Sequence, residues 1–239
     1  MSKPDWTQFN FLGHTISNTK VEAVNNCGLK YKFNYEDKIP TMAARALELG
    51  RCFDRLCESG EVPDDLKLLS QQDIEVIKER YEEYLPIMPV GKKQVGFQKD
   101  VGYKDWSLIG FMDLVPDAFP DAPIVEIKFS EKKWTQKKAG YKWLQAAIYA
   151  WAMEHDWVQF HVMNYEKPGL QTYDMNISEI ETDRMLDDVV SAIRKIEDGV
   201  RSPEENVLCG WCNYQNRCPL FDTTSKETTD GTDINKDSN

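Results

Sequence analysis

Glu126 and Lys128 stand two residues apart in PIVEIKF, a run whose β-branched and aromatic content predicts a strand. Alternation along a strand puts both side chains on one face and turns Val125 and Ile127 to the other. The apolar neighbours do not alternate cleanly with polar ones, so both faces are expected to be buried, and a buried acid and base need partners. Asp113, in GFMDLV on the preceding predicted strand, can be carried beside Glu126 by the hairpin turn. Two carboxylates pressed together in a dry site repel, and a divalent cation relieves the repulsion. Such a set suits hydrolysis of a phosphodiester. The cation polarises the phosphate and lowers the pKa of water, while the ammonium opposes the charge of the transition state. The alternative for the same residues is a structural Glu–Lys pair with an unrelated strand aspartate.

Gln145 and Tyr149, four apart in the apolar helix-forming run WLQAAIYAW, share one helix face. A glutamine there can orient the lysine or touch a nucleic-acid backbone, and the tyrosine can stack on a base or bind a phosphate. The alternative is a satisfied core amide beside an amphipathic aromatic. In an earlier helical stretch, Ala43, Leu47, Gly50, Asp54 and Cys57 follow 4-3-4-3 spacing, which sets Asp54 on a small or apolar stripe. Its partner is either the same cation or a surface base such as Arg51 or Arg55.

Cys209, Cys212 and Cys218 form C-x2-C-x5-C. Thiols packed this closely in an intracellular chain point to a metal rather than to disulfides. Cys27, at the end of a predicted short helix and followed by Gly28, is the best fourth ligand. Thiolates suit an iron–sulfur cluster or zinc. Cys52 and Cys57 lie too far apart around their helix to share a ligand and read as buried small hydrophobes.

The elements that must position these groups begin with helices. Ser17 caps a short one to about Asn26, Thr41 caps MAARALELGRCFDRLCES up to Gly60, and Ser70 with Asp73 opens a charged helix through Tyr84. Three antiparallel strands follow in KQVGFQKDVGY, WSLIGFMDLV and PIVEIKF. Then come a helix over KKAGYKWLQAAIYAWAMEH, strands in DWVQFHVMNY and LQTYDMN, and a long amphipathic helix ending at Gly199. This order predicts an α/β domain with a central mixed β-sheet flanked by helices, an N-terminal helical part and a C-terminal cysteine region. Residues 1–15 read as an arm, 16–221 as one domain, and 222–239 as a polar disordered tail.

The 239 residues suffice for a core that buries about 70% of the unfolded chain's surface without disulfides. No apolar run is long enough to span a membrane, and the N-terminus shows no secretory pattern, so a cytoplasmic protein is expected. The net charge of −11 argues against non-specific nucleic-acid binding by the whole surface. Lys128, Lys132, Lys133, Lys137, Lys138 and Lys142 nevertheless face only Glu131 over their stretch, a local basic strip beside the proposed chemistry.

Together these pieces resemble the RecB-like branch of the PD-(D/E)XK nucleases, with its restriction-endonuclease-like core, and within it the iron–sulfur type that includes the small CRISPR-associated exonucleases. The resemblance rests on ISNTKVEAVNNCGLKYKF, GFMDLV, VEIK, LQAAIY and CGWCNYQNRC, in that order from about Ile16 to Pro219. It implies Mg²⁺- or Mn²⁺-dependent cleavage of DNA, single-stranded and from an end. Asp113, Glu126 and the Ile127 carbonyl would hold the metal, Lys128 would assist the attacking water, and Gln145 and Tyr149 would match the family's Gln-x3-Tyr element. Cys27, Cys209, Cys212 and Cys218 would hold a [4Fe–4S] cluster, with zinc the alternative. Lys132, Lys133, Lys137, Lys138 and Lys142 would meet DNA. Partner proteins of recombination, replication or CRISPR adaptation, in a microbe or virus, are consistent with this likeness. One position departs, because the family usually carries a histidine ligand four residues after a glycine, where this chain has Gly50 followed by Asp54. A catalytically weak or inactive nucleic-acid-binding subunit is the first alternative, and a zinc-stapled interaction protein the second.

Overall fold

A computed structural model of the chain describes residues 13–41 and 44–221. The tail and most of the arm expected from sequence lie outside the described residues, as do Met42 and Ala43. The elements run β1 (His14–Ser17), α1 (Asn18–Asn26), α2 (Gly28–Tyr31), a π-helical turn at Lys32–Glu36, α3 (Arg45–Ser59) and α4 (Gln71–Tyr84). They continue with β2 (Gly91–Asp100), β3 (Trp106–Pro116), β4 (Ile124–Ser130), α5 (Gln136–Gly140), α6 (Trp143–Met153), β5 (Trp157–Asn164), β6 (Gln171–Asn176) and α7 (Glu179–Glu197). The cysteine-rich segment from Cys209 to Phe221 forms three 3₁₀ turns.

Local chemistry sets the ends of these helices. Ser70 accepts from the Asp73 amide while Asp73 returns a bond to the Ser70 amide, and Ser178 with Glu181 does the same for α7. Gly60 closes α3 in the left-handed region at φ 73°. The cap of α3 is Ala44 rather than Thr41. There Arg45 reaches across to Asp73 at 2.6 Å and to Glu131, which ties the start of α3 to the cap of α4 and to the segment after β4. The helix expected over residues 137–155 is two helices, α5 and α6. Thr135 caps the first at the Lys138 amide (3.2 Å), and Gly140, a poor helix former, ends it.

The sheet is mixed, as the alternating pattern predicted, in the order β1-β3-β4-β5-β6 with β2 also on β3. β2–β3, β3–β4 and β5–β6 are antiparallel, whereas β1–β3 and β4–β5 are parallel. β1 includes His14 and Thr15, which belong to the sheet and not to the arm expected from sequence. It is held by parallel pairing to β3 and by the His14 ring stacked on Trp106 at 5.0 Å. One face of the sheet packs α1, α6 and α7 through Val21, Val24, Ile148, Met185 and Val189 against Leu108, Met112, Ile124 and Phe160. The other packs α3 and α4 through Leu49, Phe53, Leu56 and Ile77 against Leu114, Val125, Ile127 and Met163. Among the described residues no helix is long and apolar enough to cross a membrane.

The two ends of the described chain meet. Gly28 lies so close to the Val200 carbonyl that an added Cβ would approach it to 2.6 Å, and the Leu29 amide donates to Ser202 at 3.1 Å. Asn206 caps the Asn26 carbonyl at 2.9 Å, which brings the loop after α7 onto the end of α1.

Candidate active site and cysteine pocket

The site lies where β3 and β4 part. β2 occupies one edge of β3 along residues 107–116, so β1 and β4 share the other. β4 pairs with β3 only at Leu114↔Val125. Beyond that pair the strands splay, and the Ile127 amide donates to Asp113 Oδ2 (2.9 Å) instead of to a carbonyl. Side-chain alternation on β3 also breaks here, since Met112 packs in the α1/α6/α7 core while Leu114 packs in the α3/α4 core. Asp113 therefore projects into the seam between strands. In an extended strand a residue's N–H and C=O point to the same edge. The Ile127 carbonyl thus faces the seam that its amide faces.

Glu126 is 3% exposed and Lys128 26%, on the face predicted for them, and the ammonium bonds Glu126 Oε1. Gln145 on α6 donates to the same oxygen at 2.6 Å and to the Tyr149 hydroxyl at 2.8 Å, which in turn donates to the Phe111 carbonyl at 2.8 Å. The amide therefore orients the carboxylate, not the lysine. Tyr149 is buried in the core and offers no face to a base, so the stacking role is excluded; it anchors Gln145 to β3. Glu126 Oε2 is buried and has no hydrogen-bond partner.

Asp54 on α3 arrives at the seam from the opposite core. A hollow of about 10 Å³, of the order that one water molecule or small ion needs, is lined by Asp54, Cys57, Glu58, Lys93, Gln94, Asp113 and Ile127. Burial pushes the Asp54 carboxyl up to about 7, with Glu126 and Glu58 adding to the rise and Lys128 opposing it. Burial likewise raises Asp113 well above the usual carboxylate range, helped by Glu126 and Asp54. Desolvation works against the Lys128 ammonium, but Glu126, Asp113 and Asp54 outweigh it and its pKa is raised. Asp54, Asp113 and Glu126 thus crowd the Lys128 ammonium, with Glu58 and Lys93 also at the hollow. The orphaned Glu126 oxygen and the oxygens of Asp54, Asp113 and the Ile127 backbone suit a hard divalent cation. Among the described residues no three acid, histidine or cysteine side chains are closed up in ligating positions.

Glu58, Lys93 and Gln94 were not anticipated from sequence. Glu58 follows Asp54 by one helical turn, a usable signal, whereas Lys93 and Gln94 reach the site only through the β2–β3 register. Lys93 donates to the Cys57 carbonyl at 2.6 Å. Cys52 and Cys57 are buried as expected, and burial lifts the Cys52 thiol to about 11.

Cys27, Cys209, Cys212 and Cys218, all partly exposed, line a second pocket of about 30 Å³ between the end of α1 and the C-terminal turns. Lys132, Lys133, Lys137 and Lys138 are exposed and Lys142 half-buried on the connection from β4 to α6. That connection joins Lys128 to Gln145 in sequence, and its lysines form a basic rim along it.

Residues 60–219 match the family model of the PD-(D/E)XK nuclease superfamily. The matched span contains Asp113, Glu126, Lys128, Gln145 and the three clustered cysteines but begins after Asp54 and Cys27. The fold is similar to that of a candidate exonuclease from Eubacterium rectale, at 16% identity and TM-score 0.63 over 84% of this chain and 88% of that one. It is also similar to the protein SSO0001, at 16% identity and TM-score 0.53 over 90% of each chain. The alkaline exonuclease LHK-Exo from Laribacter hongkongensis aligns at 9% identity and TM-score 0.46 over 77% of this chain and 88% of that one. No curated protein matches the sequence.

Proposed function

The chain belongs to the PD-(D/E)XK nuclease superfamily, and on that premise we propose that it is a metal-dependent deoxyribonuclease that degrades single-stranded DNA from an end. The observation that carries this reading is the convergence of Asp54 and Asp113 on a small hollow beside β4, where Glu126 bonds Lys128 through one oxygen and keeps a second, buried oxygen unpartnered.

Asp54, Asp113, Glu126 and the Ile127 carbonyl would hold Mg²⁺ or Mn²⁺. The ion would polarise the scissile phosphate and lower the pKa of the attacking water. Lys128 remains charged at neutral pH, so its ammonium can hold that water or oppose the negative charge that develops on the phosphate. Gln145, pinned by Tyr149, fixes one Glu126 oxygen and leaves the other for the ion. The lysines of the rim would track the DNA backbone toward the seam. A [4Fe–4S] cluster held by Cys27, Cys209, Cys212 and Cys218 would tie the ends of the fold together, with zinc as the other occupant such thiols suit.

The test incubates end-labelled single strands, linear duplex and closed circular DNA with Mg²⁺, Mn²⁺ or EDTA, comparing the wild type with Lys128→Met. The reading expects metal-dependent loss of the linear single strand, sparing of circles, and a fall of about 10²–10³ in kcat for the variant. Equal degradation by both proteins overturns the catalytic assignment. Binding without cleavage under every metal condition would make the chain a DNA-binding subunit. Duplex cleavage or nicked circles would overturn only the end- and strand-preference.

A further inference from the structure

Four described residues other than glycine have positive φ, at Lys38, Gln94, Lys104 and Glu154, and only Gln94 (φ 51°) lies inside a strand. L side chains adopt this conformation at a cost, and it persists where the surroundings over-determine it. Lys93 pairs with Leu114 and Val95 with Met112, so the register is the same on both sides of Gln94 and no residue has been inserted. Gln94 and the residue opposite, Asp113, are simply missing from the ladder. An ordinary strand residue at 94 would pair with Asp113 and continue the ladder. Inverting the backbone instead opens the ladder and brings the Gln94 amide to Asp113 Oδ1 at 3.2 Å. Asp113 is then held by one oxygen from β2 and by the other from Ile127 on β4, at 2.9 Å. A carboxylate carries about four lone-pair sites, so each oxygen keeps capacity for a further partner. Gln94 also lines the hollow itself.

We propose that Gln94 is a positioning residue that sets Asp113 as a cation ligand, its left-handed backbone being what holds the β2–β3 ladder open at that point. The inference rests on the reading of the hollow as a divalent-cation site. Groups that orient a ligating carboxylate typically contribute about 10–100-fold to metal affinity.

The test measures Mn²⁺ binding to the full chain without DNA, by the loss of the free-ion paramagnetic resonance signal, for the wild type, Gln94→Gly, Gln94→Asn and Asp113→Asn. Melting in EDTA is recorded in parallel. Glycine accepts the left-handed backbone but lacks the amide, whereas asparagine accepts it and keeps an amide one methylene shorter. The expected result is a cooperative melt for both variants, with Mn²⁺ affinity weakened about tenfold in Gln94→Gly and about three- to fivefold in Gln94→Asn, whose amide falls one methylene short of Asp113. A folded Gln94→Gly that binds Mn²⁺ within about twofold of the wild type overturns the inference alone; if that variant does not fold, the same outcome in Gln94→Asn does so. A wild type whose Mn²⁺ binding is absent, or indifferent to Asp113→Asn, overturns the cation site and this inference with it.

Discussion

Asp54→Asn separates a carboxylate kept for a cation from one kept for stability. The Asp54 carboxyl sits at about 7 against an ordinary value of 3.8, with burial the first cause. A carboxylate with a raised pKa is protonated in the fold and ionised in the unfolded chain over the window between the two values. The fold therefore binds more protons there, and stability falls as pH rises from about 4 to about 7. From this shift, Asp54 costs the metal-free fold about 2 kcal/mol at pH 5 and about 4 kcal/mol at pH 8. Asparagine does not titrate. Relative to the wild type, Asp54→Asn should gain about 2–3 kcal/mol between pH 5 and pH 8 in EDTA, or about 4–12 °C in Tm for a domain of this size. Saturating Mg²⁺ at pH 8 should reverse the order, because the wild type gains binding energy that the variant has largely lost. Thermal and urea melts at the two pH values, with EDTA and with Mg²⁺, read this directly. Equal effects of the substitution at pH 5 and pH 8, with the same Mg²⁺ shift in both proteins, would refute the reasoning and return Asp54 to a structural role.

Two further outcomes follow from the rim and the cysteine pocket. Replacing Lys137, Lys138 and Lys142 by alanine should weaken single-strand binding regardless of sequence and reduce the slope of log K against log salt by about 2, at about 0.7 for each phosphate no longer neutralised; salt titration of a fluorescent oligonucleotide measures it, and an unchanged slope removes these residues from the interface. Replacing Cys27 or Cys212 by serine should cost the protein its thiolate-bound metal and lower Tm by about 5 °C or more. Metal analysis of anaerobic protein, with a brown colour that bleaches on reduction for iron–sulfur and none for zinc, identifies the occupant, and unchanged metal content in both variants would contradict the assignment.

The strand alternation at Glu126 and Lys128, the capping box at Ser70 and the mixed sheet were legible because each is written in local spacing. So was the face shared by Gln145 and Tyr149, although their partners were not: the amide meets Glu126, and the hydroxyl meets a β3 carbonyl 38 residues away in sequence. β1 escaped because four residues of HTIS carry too little pattern, and the strand exists through parallel pairing to residues about ninety positions later. The most consequential feature, the break in alternation at Asp113, was invisible for the same reason. Nothing in GFMDLV says that Met112 and Leu114 enter different cores, or that a glutamine on the neighbouring strand inverts its backbone opposite them.

Three carboxyl groups and a carbonyl, delivered by α3, β3 and β4, must meet at one cation if the seam is a metal site. Crystals grown with Mn²⁺ and measured at the manganese absorption edge address that claim directly. The predicted result is an anomalous peak in the β3–β4 seam within about 2.0–2.5 Å of oxygens from Asp54, Asp113, Glu126 and Ile127. A well-ordered seam with no peak, with Lys128 still bonded to Glu126 and manganese bound only elsewhere, would contradict it.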